Sequence, residues 1–237
     1  MVYIDNRRVE KPGTKVDVMK DIKLKGNSIP YVGRGGLKLE KAINEFSLTV
    51  ENKVAIDIGA STGGFTDCML QNGAKKVYAI DVGYGQLAWK LRKDERVIPI
   101  ERTNIRYATK DTTGELADFI SIDVSFISLR LVLPVAKELS NENADIIALI
   151  KPQFEAGREK VGKKGIVRDI NVHREVIYSI NEFCSSIDLS IKDLTYSPIR
   201  GTGGNIEYLT HIVKNDVKNN DIENLIEKVV AQSHKEL

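Results

Sequence analysis

The segment Val54-Ala55-Ile56-Asp57-Ile58-Gly59-Ala60-Ser61-Thr62-Gly63-Gly64-Phe65-Thr66-Asp67 sets an apolar run directly against a glycine-rich turn. A helical pattern follows, with a good stopping place at Asn72-Gly73. Glycines let backbone pass close to a bound molecule, and the free amides at a helix start can meet its polar groups. That combination suits a small-molecule site. The turn lacks the Gly-Lys-Ser/Thr ending of a phosphate-binding loop and the Gly-x-Gly-x-x-Gly dinucleotide fingerprint. A second apolar run ends Val77-Tyr78-Ala79-Ile80-Asp81, placing a carboxylate where a ribose diol could be hydrogen-bonded. Asn104, Asp123 and Lys151 each come at or just past the end of a further apolar run.

The elements that must position these residues show in the rhythm of the chain. Short apolar runs at Val54 to Ile58, Lys76 to Ile80, Val97 to Ile100, Phe119 to Ile122 and Ile146 to Ile150 alternate with helical segments. Parallel strands need crossover connections and are buried on both faces, so the pattern predicts an α/β fold with helices on both sides of a parallel sheet. Ligands of such sheets bind outside the carboxyl ends of the strands, where Gly59 to Gly64, Asp81, Asn104, Asp123 and Lys151 would converge. Taken singly, Asp81 or Asp123 could equally cap a helix, and the glycine turn could be a tight connection. Ile206 to Val213 alternates more openly and reads as an antiparallel addition at the end of the sheet.

Ahead of this region, Val2 to Lys25 alternates apolar and polar residues around the turn signals Asp5-Asn6 and Lys11-Pro12-Gly13, which predicts a hairpin-rich module. Tyr31-Val32-Gly33-Arg34-Gly35-Gly36 reads as a flexible basic hinge, and Leu37, Leu39, Ile43 and Phe46 recur at near-helical spacing beyond it. The expected division is a small module over 1–30, the hinge over 31–36 and the main domain over 37–237.

With 42% hydrophobic and 29% charged residues in 237, the composition is that of a globular protein. No apolar run approaches the roughly 18 residues of a membrane span. The first residues lack the features of a secretory signal, so a cytoplasmic protein without membrane attachment is expected. Cys68 and Cys184 fall in no metal-ligand or disulfide pattern and are expected to be packed thiols, with no metal bound. A net charge of +2 leaves any nucleic-acid partner to local clusters. Residues 1–41 carry ten Lys or Arg against five Asp or Glu, and residues 158–168 carry five against one. The latter cluster, Arg158, Lys160, Lys163, Lys164 and Arg168, sits in a glycine-punctuated loop that suits a lid on an RNA backbone as well as it suits a solvated basic loop.

Asp57-Ile58-Gly59-Ala60-Ser61-Thr62-Gly63-Gly64-Phe65 resembles the first motif of the FtsJ-like methyltransferases. Gly33-Arg34-Gly35-Gly36-Leu37-Lys38-Leu39, Asp81-Val82-Gly83-Tyr84-Gly85-Gln86-Leu87, Asp123-Val124-Ser125-Phe126-Ile127-Ser128, Lys151-Pro152-Gln153-Phe154-Glu155 and Gly204-Asn205-Ile206-Glu207-Tyr208 resemble, more narrowly, the TlyA family, often labelled hemolysin A. The likeness spans essentially the whole chain. It implies a Rossmann-like fold with a mostly parallel seven-stranded sheet containing an antiparallel strand. It implies transfer of a methyl group from S-adenosylmethionine to a ribose 2′-hydroxyl, of cytidine in 16S or 23S rRNA, with ribosomal RNA or ribosomal subunits as partner. Donor contacts would come from Gly59, Ala60, Ser61, Thr62, Gly63, Gly64, Phe65, Asp81, Asn104 and Asp123, and a catalytic Lys-Asp-Lys-Glu tetrad would be Lys38, Asp123, Lys151 and Glu207. A ribose hydroxyl is a poor nucleophile, so ammonium groups that stabilise the developing alkoxide, and carboxylates that hold those ammoniums, suit the reaction. Lys151 is assigned the alkoxide, while in-line orientation of the two reactants contributes most.

The same likeness makes the first 41 residues the second half of an alpha-L type RNA-binding module, with the two preceding helices missing. RNA contacts are expected from Arg7, Arg8 and Arg34 together with the basic loop. Alone, Lys38 is an ordinary solvated helix lysine and Glu207 an ordinary exposed strand residue, so the tetrad carries meaning only as a set. The run Asp123-Val124-Ser125-Phe126 lacks the Pro-Pro-aromatic motif of enzymes that methylate base amino groups, and neither cysteine follows a strand with proline as a base-carbon enzyme would require. Two other classes stay open at this point: a methyltransferase for a small molecule, and a non-enzymatic RNA-binding protein of the ribosome. A direct membrane-lytic activity finds no amphipathic or spanning segment to carry it.

Overall fold

A computed structural model of the chain describes residues 2–9, 13–24, 29–214 and 221–237. The chain divides into two compact units, 1–30 and 31–237. Lys11 and Pro12 of the second turn signal, and the side chain of Arg8, lie outside the described part.

In the first unit, β1 (Val2–Ile4) pairs antiparallel with β2 (Arg7–Val9) and β3 (Ile22–Leu24), in the order β2-β1-β3. Asp5 and Asn6 make the two-residue turn with φ of 45° and 64°, the left-handed pair that matches hairpin twist and that Asn and Asp tolerate best.

The second unit begins with α1 (Gly35–Glu45) and continues through β4 (Val54–Ile58), α2 (Gly64–Gln71), β5 (Lys76–Ile80), α3 (Trp89–Arg92), β6 (Val97–Ile100), α4 (Lys110–Thr113) and β7 (Ala117–Ile122). Then come α5 (Leu133–Leu139), β8 (Ser140–Ile150), α6 (Pro152–Glu155), α7 (Ile170–Ser186), β9 (Leu189–Tyr196), β10 (Tyr208–Lys214) and α8 (Ile222–Glu236). The seven strands from β4 onward form one sheet in the order β6-β5-β4-β7-β8-β10-β9. Pairings among β4 to β8 are parallel, and β10 runs antiparallel to both β8 and β9.

Alternation along the strands builds a core on each face. Ile56, Ile58, Ile120, Ile122, Ile146 and Ile150 join the cluster covered by α5, α7 and α8. Ala55, Phe119, Ile147 and Leu149 join the opposite cluster with Leu39 and Ile43 of α1 and Phe65 and Met69 of α2. Burying such side chains, at about 1.5–3 kcal/mol each, is what holds the helices against the sheet.

The predicted strands β4, β5 and β6 have the expected bounds, while β7 and β8 start earlier. The antiparallel strand expected at the end of the sheet is antiparallel but lies inside it, between β8 and β9. Its polar members are satisfied in that interior: His211 contacts Asp145 through Nε2 at 2.9 Å and Asp193 through Nδ1 at 3.3 Å, and the Thr210 hydroxyl donates to the Asp193 carbonyl. The edge is taken by β9, a strand that the apolar pattern of the sequence does not predict. The stretch read as a hinge is packed into the second unit. Tyr31 is buried and its hydroxyl donates to Glu40, while the Val32 amide donates to Asp67 at 2.8 Å. Both cysteines are free and buried, and burial pushes each thiol up to about 12.

Candidate active site

Pairing registers explain why distant residues meet. Ile58 of β4 pairs with Ile122 of β7, so Gly59 and Asp123 follow side by side, tied by the Asp123 amide donating to the Ile58 carbonyl. Tyr208 of β10 pairs with Ile150 of β8, and one step beyond that pair come Glu207 and Lys151. Because β10 is reversed, Glu207 precedes its strand and Lys151 follows its own, yet both stand at the same rim. Helix α1 supplies Lys38 from its buried face, shared with Leu39, Ala42 and Ile43. Helical side chains lean toward the N-terminus, and here that lean takes the ammonium to the rim.

The four side chains form one continuous chain of ion pairs. Lys38 donates to Oε2 of Glu207 at 2.6 Å and stands 3.6 Å from Oδ2 of Asp123. The other carboxylate oxygen of Asp123 is 2.5 Å from the Lys151 ammonium, which also donates to the Ser125 hydroxyl at 3.1 Å. Lys38, Lys151 and Glu207 are buried, at 7%, 7% and 2% exposure, a degree these residue types reach only when paired. All four line a cleft of about 340 Å³ together with Gly33, Arg34, Ser61, Thr62, Phe65 and Arg200.

A second cavity of about 690 Å³ adjoins it and shares Gly59, Ser61, Asp123 and Ser125. Asp81 and Asn104 line this one. Both oxygens of Asp81 accept backbone amides, from Ser61 and from Gly83, each at 2.7 Å, which fixes the carboxylate at the cavity wall. Asn104 starts the short 3-10 turn of 105–107, its side-chain oxygen accepting from the Arg106 amide. Gly59 has φ +86°, and a Cβ there would lie 2.6 Å from the Asp123 carbonyl oxygen, so the junction of the two cavities tolerates only glycine. Of the residues expected at a donor site, Gly63 alone lines neither cavity. Its missing Cβ faces Leu91 and Leu87, and its amide donates to the Ala60 carbonyl.

Beneath the glycine turn, Asp57 is fully buried and accepts from Thr66 Oγ1 at 2.6 Å and Ser121 Oγ at 3.0 Å. Burial pushes its carboxyl up to about 6 despite those two hydroxyls. Glu155 ties two loops of the site together, accepting from the Ser128 hydroxyl at 2.7 Å and the Leu129 amide at 2.8 Å. Burial raises its carboxyl as well.

The FtsJ-like methyltransferase model matches residues 31–214, which contain every side chain of both cavities. The chain belongs to the FtsJ-like methyltransferase family. Among its relatives, YqxC of Bacillus subtilis, provisionally named an rRNA methyltransferase, is 58% identical over 90% of this chain and 76% of its own length. The 16S/23S rRNA (cytidine-2′-O)-methyltransferase TlyA of Mycobacterium tuberculosis is 40% identical over 87% of this chain and 78% of its own. A solved structure from Streptococcus thermophilus, provisionally named a hemolysin, superposes with a TM-score of 0.88 at 52% identity, covering 99% of this chain and 86% of that one.

Within this FtsJ-like domain, Arg34 stands in the tetrad cleft, and Lys160, Lys163, Lys164 and Arg168 line a separate cavity of about 480 Å³. Arg158 opens the 3-10 turn of that loop, and Lys160 is paired with Glu175 of α7. Arg7 lies on β2 of the first unit. Ser125 and Arg200 are wall residues that sequence reasoning missed. Ser125 stood inside a recognised motif, and Arg200 stands in Pro198-Ile199-Arg200-Gly201-Thr202-Gly203-Gly204, a basic glycine-rich loop that draws notice only once β9 before it is seen as a strand.

Proposed function

We propose that the chain methylates a ribose 2′-hydroxyl of ribosomal RNA, on a cytidine, using S-adenosylmethionine. The observation that carries this reading is the buried sequence of ion pairs from Glu207 through Lys38 and Asp123 to Lys151 at the floor of a cleft that opens onto the larger cavity. The two cavities have the size range of small-molecule sites. Asp81 suits the ribose diol of the donor's adenosine, and Asn104 flanks it. Gly59, Ala60, Ser61, Thr62, Gly64 and Phe65 suit the passage from the adenosine to the reacting end. When bound, S-adenosylmethionine supplies a methyl group activated by its sulfonium.

Lys151 donates a hydrogen bond to the ribose 2′-oxygen and stabilises the negative charge that grows there as its proton leaves to water. Asp123 aims that ammonium from 2.5 Å, and Glu207 with Lys38 holds Asp123 in turn. Little of this must rearrange during reaction, because the groups are paired beforehand and Lys38, Lys151 and Glu207 are buried. Residues 1–30 act as part of an RNA-binding module, and 31–237, with Gly33 and Arg34 in the wall of the cleft, carry the chemistry. Arg7, Arg8, Arg34 and the 158–168 loop contribute RNA contacts. Ribosomal subunits present the nucleotide, and the work is done in the cytoplasm. Among the described residues no helix is long and apolar enough to cross a membrane.

The test is transfer of tritiated methyl from S-adenosylmethionine to intact subunits and to naked rRNA, comparing wild type with Lys151→Ala. Loss of transfer on the order of a hundredfold or more is expected, with donor binding retained in calorimetry. Equal activity in the variant overturns the mechanism.

A further inference from the structure

Arg200 lines the tetrad cleft and also a separate slot of about 270 Å³. Arg168 borders that slot too, and is shared in turn with the cavity lined by Lys160, Lys163 and Lys164. A line of cationic side chains therefore leads from the proposed ribose site across the slot to the basic loop.

The slot is built, not incidental. Its two wall loops are clamped by Asn205, whose side-chain oxygen accepts from the Val167 amide at 3.1 Å and whose amide nitrogen donates to the Gly165 carbonyl at 2.9 Å. His234, from the last turn of α8, lines the slot and packs edge-on against His173 with ring centroids 4.6 Å apart. His173 is fully engaged, its Nδ1 with the Tyr208 hydroxyl at 2.8 Å and its Nε2 with the Val167 carbonyl at 3.0 Å. His234 differs: its Nε2 is buried and among the described residues has no hydrogen-bond partner. A buried polar atom left so costs free energy that a ligand would recover.

Two acids stand near, and Asp169 acts on the His234 ring through its charge. Asp169 accepts from the Asn171 amide at the start of α7, and Glu227 holds Arg174 at 2.7 Å. Among the side chains that line the slot, beside Ile166, Val167, Ile206 and Leu237, the polar ones are two guanidiniums and an imidazole, a set that takes a phosphate-like anion. Resting on the function proposed above, we infer that this slot seats a backbone phosphate of the RNA flanking the methylated nucleotide, through Arg168, Arg200 and His234. Arg200 belongs to both cavities, so an anion in the slot lies one side chain from the reacting ribose. These three are positioning residues; the anion they hold sets the strand so that its sugar presents the 2′-oxygen to the cleft.

The experiment measures methyl transfer to rRNA by wild type, Arg168→Gln, Arg200→Gln and His234→Gln, over a series of salt concentrations, with donor affinity measured alongside. Each variant is expected to raise KM for rRNA about five- to thirtyfold and to lessen the dependence of log affinity on log salt by about one contact, with donor affinity and melting temperature unchanged. Inorganic phosphate, added at constant ionic strength, is expected to compete with rRNA for wild type and to lose that effect in Arg200→Gln. If wild type methylates rRNA while the variants keep its KM and salt slope, the slot assignment is overturned and the function stands. If phosphate shifts the His234 ring resonances without raising KM, the slot is a free-anion site, which also overturns it. Absence of rRNA methylation by wild type defeats the functional reading itself.

Discussion

Lys38 and Glu207 stand 169 positions apart in the chain and 2.6 Å apart in space, and both are buried. Removing one partner of such a pair strands the other's charge in a low-dielectric site. Lys38→Met is therefore expected to destabilise the protein by about 3–5 kcal/mol, and Lys38→Met with Glu207→Leu to recover most of that loss. Urea denaturation of the two single variants and the double variant checks it; additive losses would refute the coupling.

Gly201 approaches the same carboxylate. A Cβ at this position would lie 2.0 Å from Oε1 of Glu207, so Gly201→Ala must push the side chain away from Lys38. Methyl transfer is expected to fall on the order of tenfold to a hundredfold, since misplacement of about an ångström has that effect in a preorganised site. Circular dichroism and donor binding should stay at wild-type values.

Asp81 is held by two backbone amides and lines the larger cavity. Asp81→Ala removes a charged acceptor, and hydrogen bonds to charged groups contribute about 1.5–3 kcal/mol. The dissociation constant for S-adenosylmethionine is expected to rise at least tenfold in calorimetry. An unchanged constant would remove Asp81 from the donor site.

Asp57 gives a pH signature. Its buried carboxyl keeps its proton up to about pH 6, whereas in the unfolded chain it ionises near 3.8. Its contribution to stability is thus full below pH 3.8 and is lost as pH rises toward 6, by about 3 kcal/mol in all. Asp57→Asn lacks that loss, so its stability relative to wild type is expected to climb between pH 4 and pH 7. Unfolding curves at the two pH values decide the matter, and a constant difference would refute it.

Much of this site was legible because the parallel strands advertise themselves. Val54 to Ile58 is buried on every residue, and a run of that kind marks both a strand and the turn after it. The strand β9 was not, since Leu189-Ser190-Ile191-Lys192-Asp193-Leu194-Thr195-Tyr196 mixes polar residues into an edge position with no apolar run. With it went the 197–205 loop and Arg200. Gly63 lines neither cavity, and sequence shows a glycine's presence but not which way its missing side chain would point. Lys38 and Glu207 are legible only through resemblance, for nothing local tells a lysine in an amphipathic helix that it will be 7% exposed.

The wide separation of Lys38 and Glu207 along the chain bears on how the molecule comes into being. Translation delivers Lys38 early, with α1, and Glu207 only after β4 to β9 have been made, so the cleft cannot be completed until the chain as far as β10 has left the tunnel. A half-made chain therefore lacks the final acid, and competence arrives with the last strand laid into the sheet.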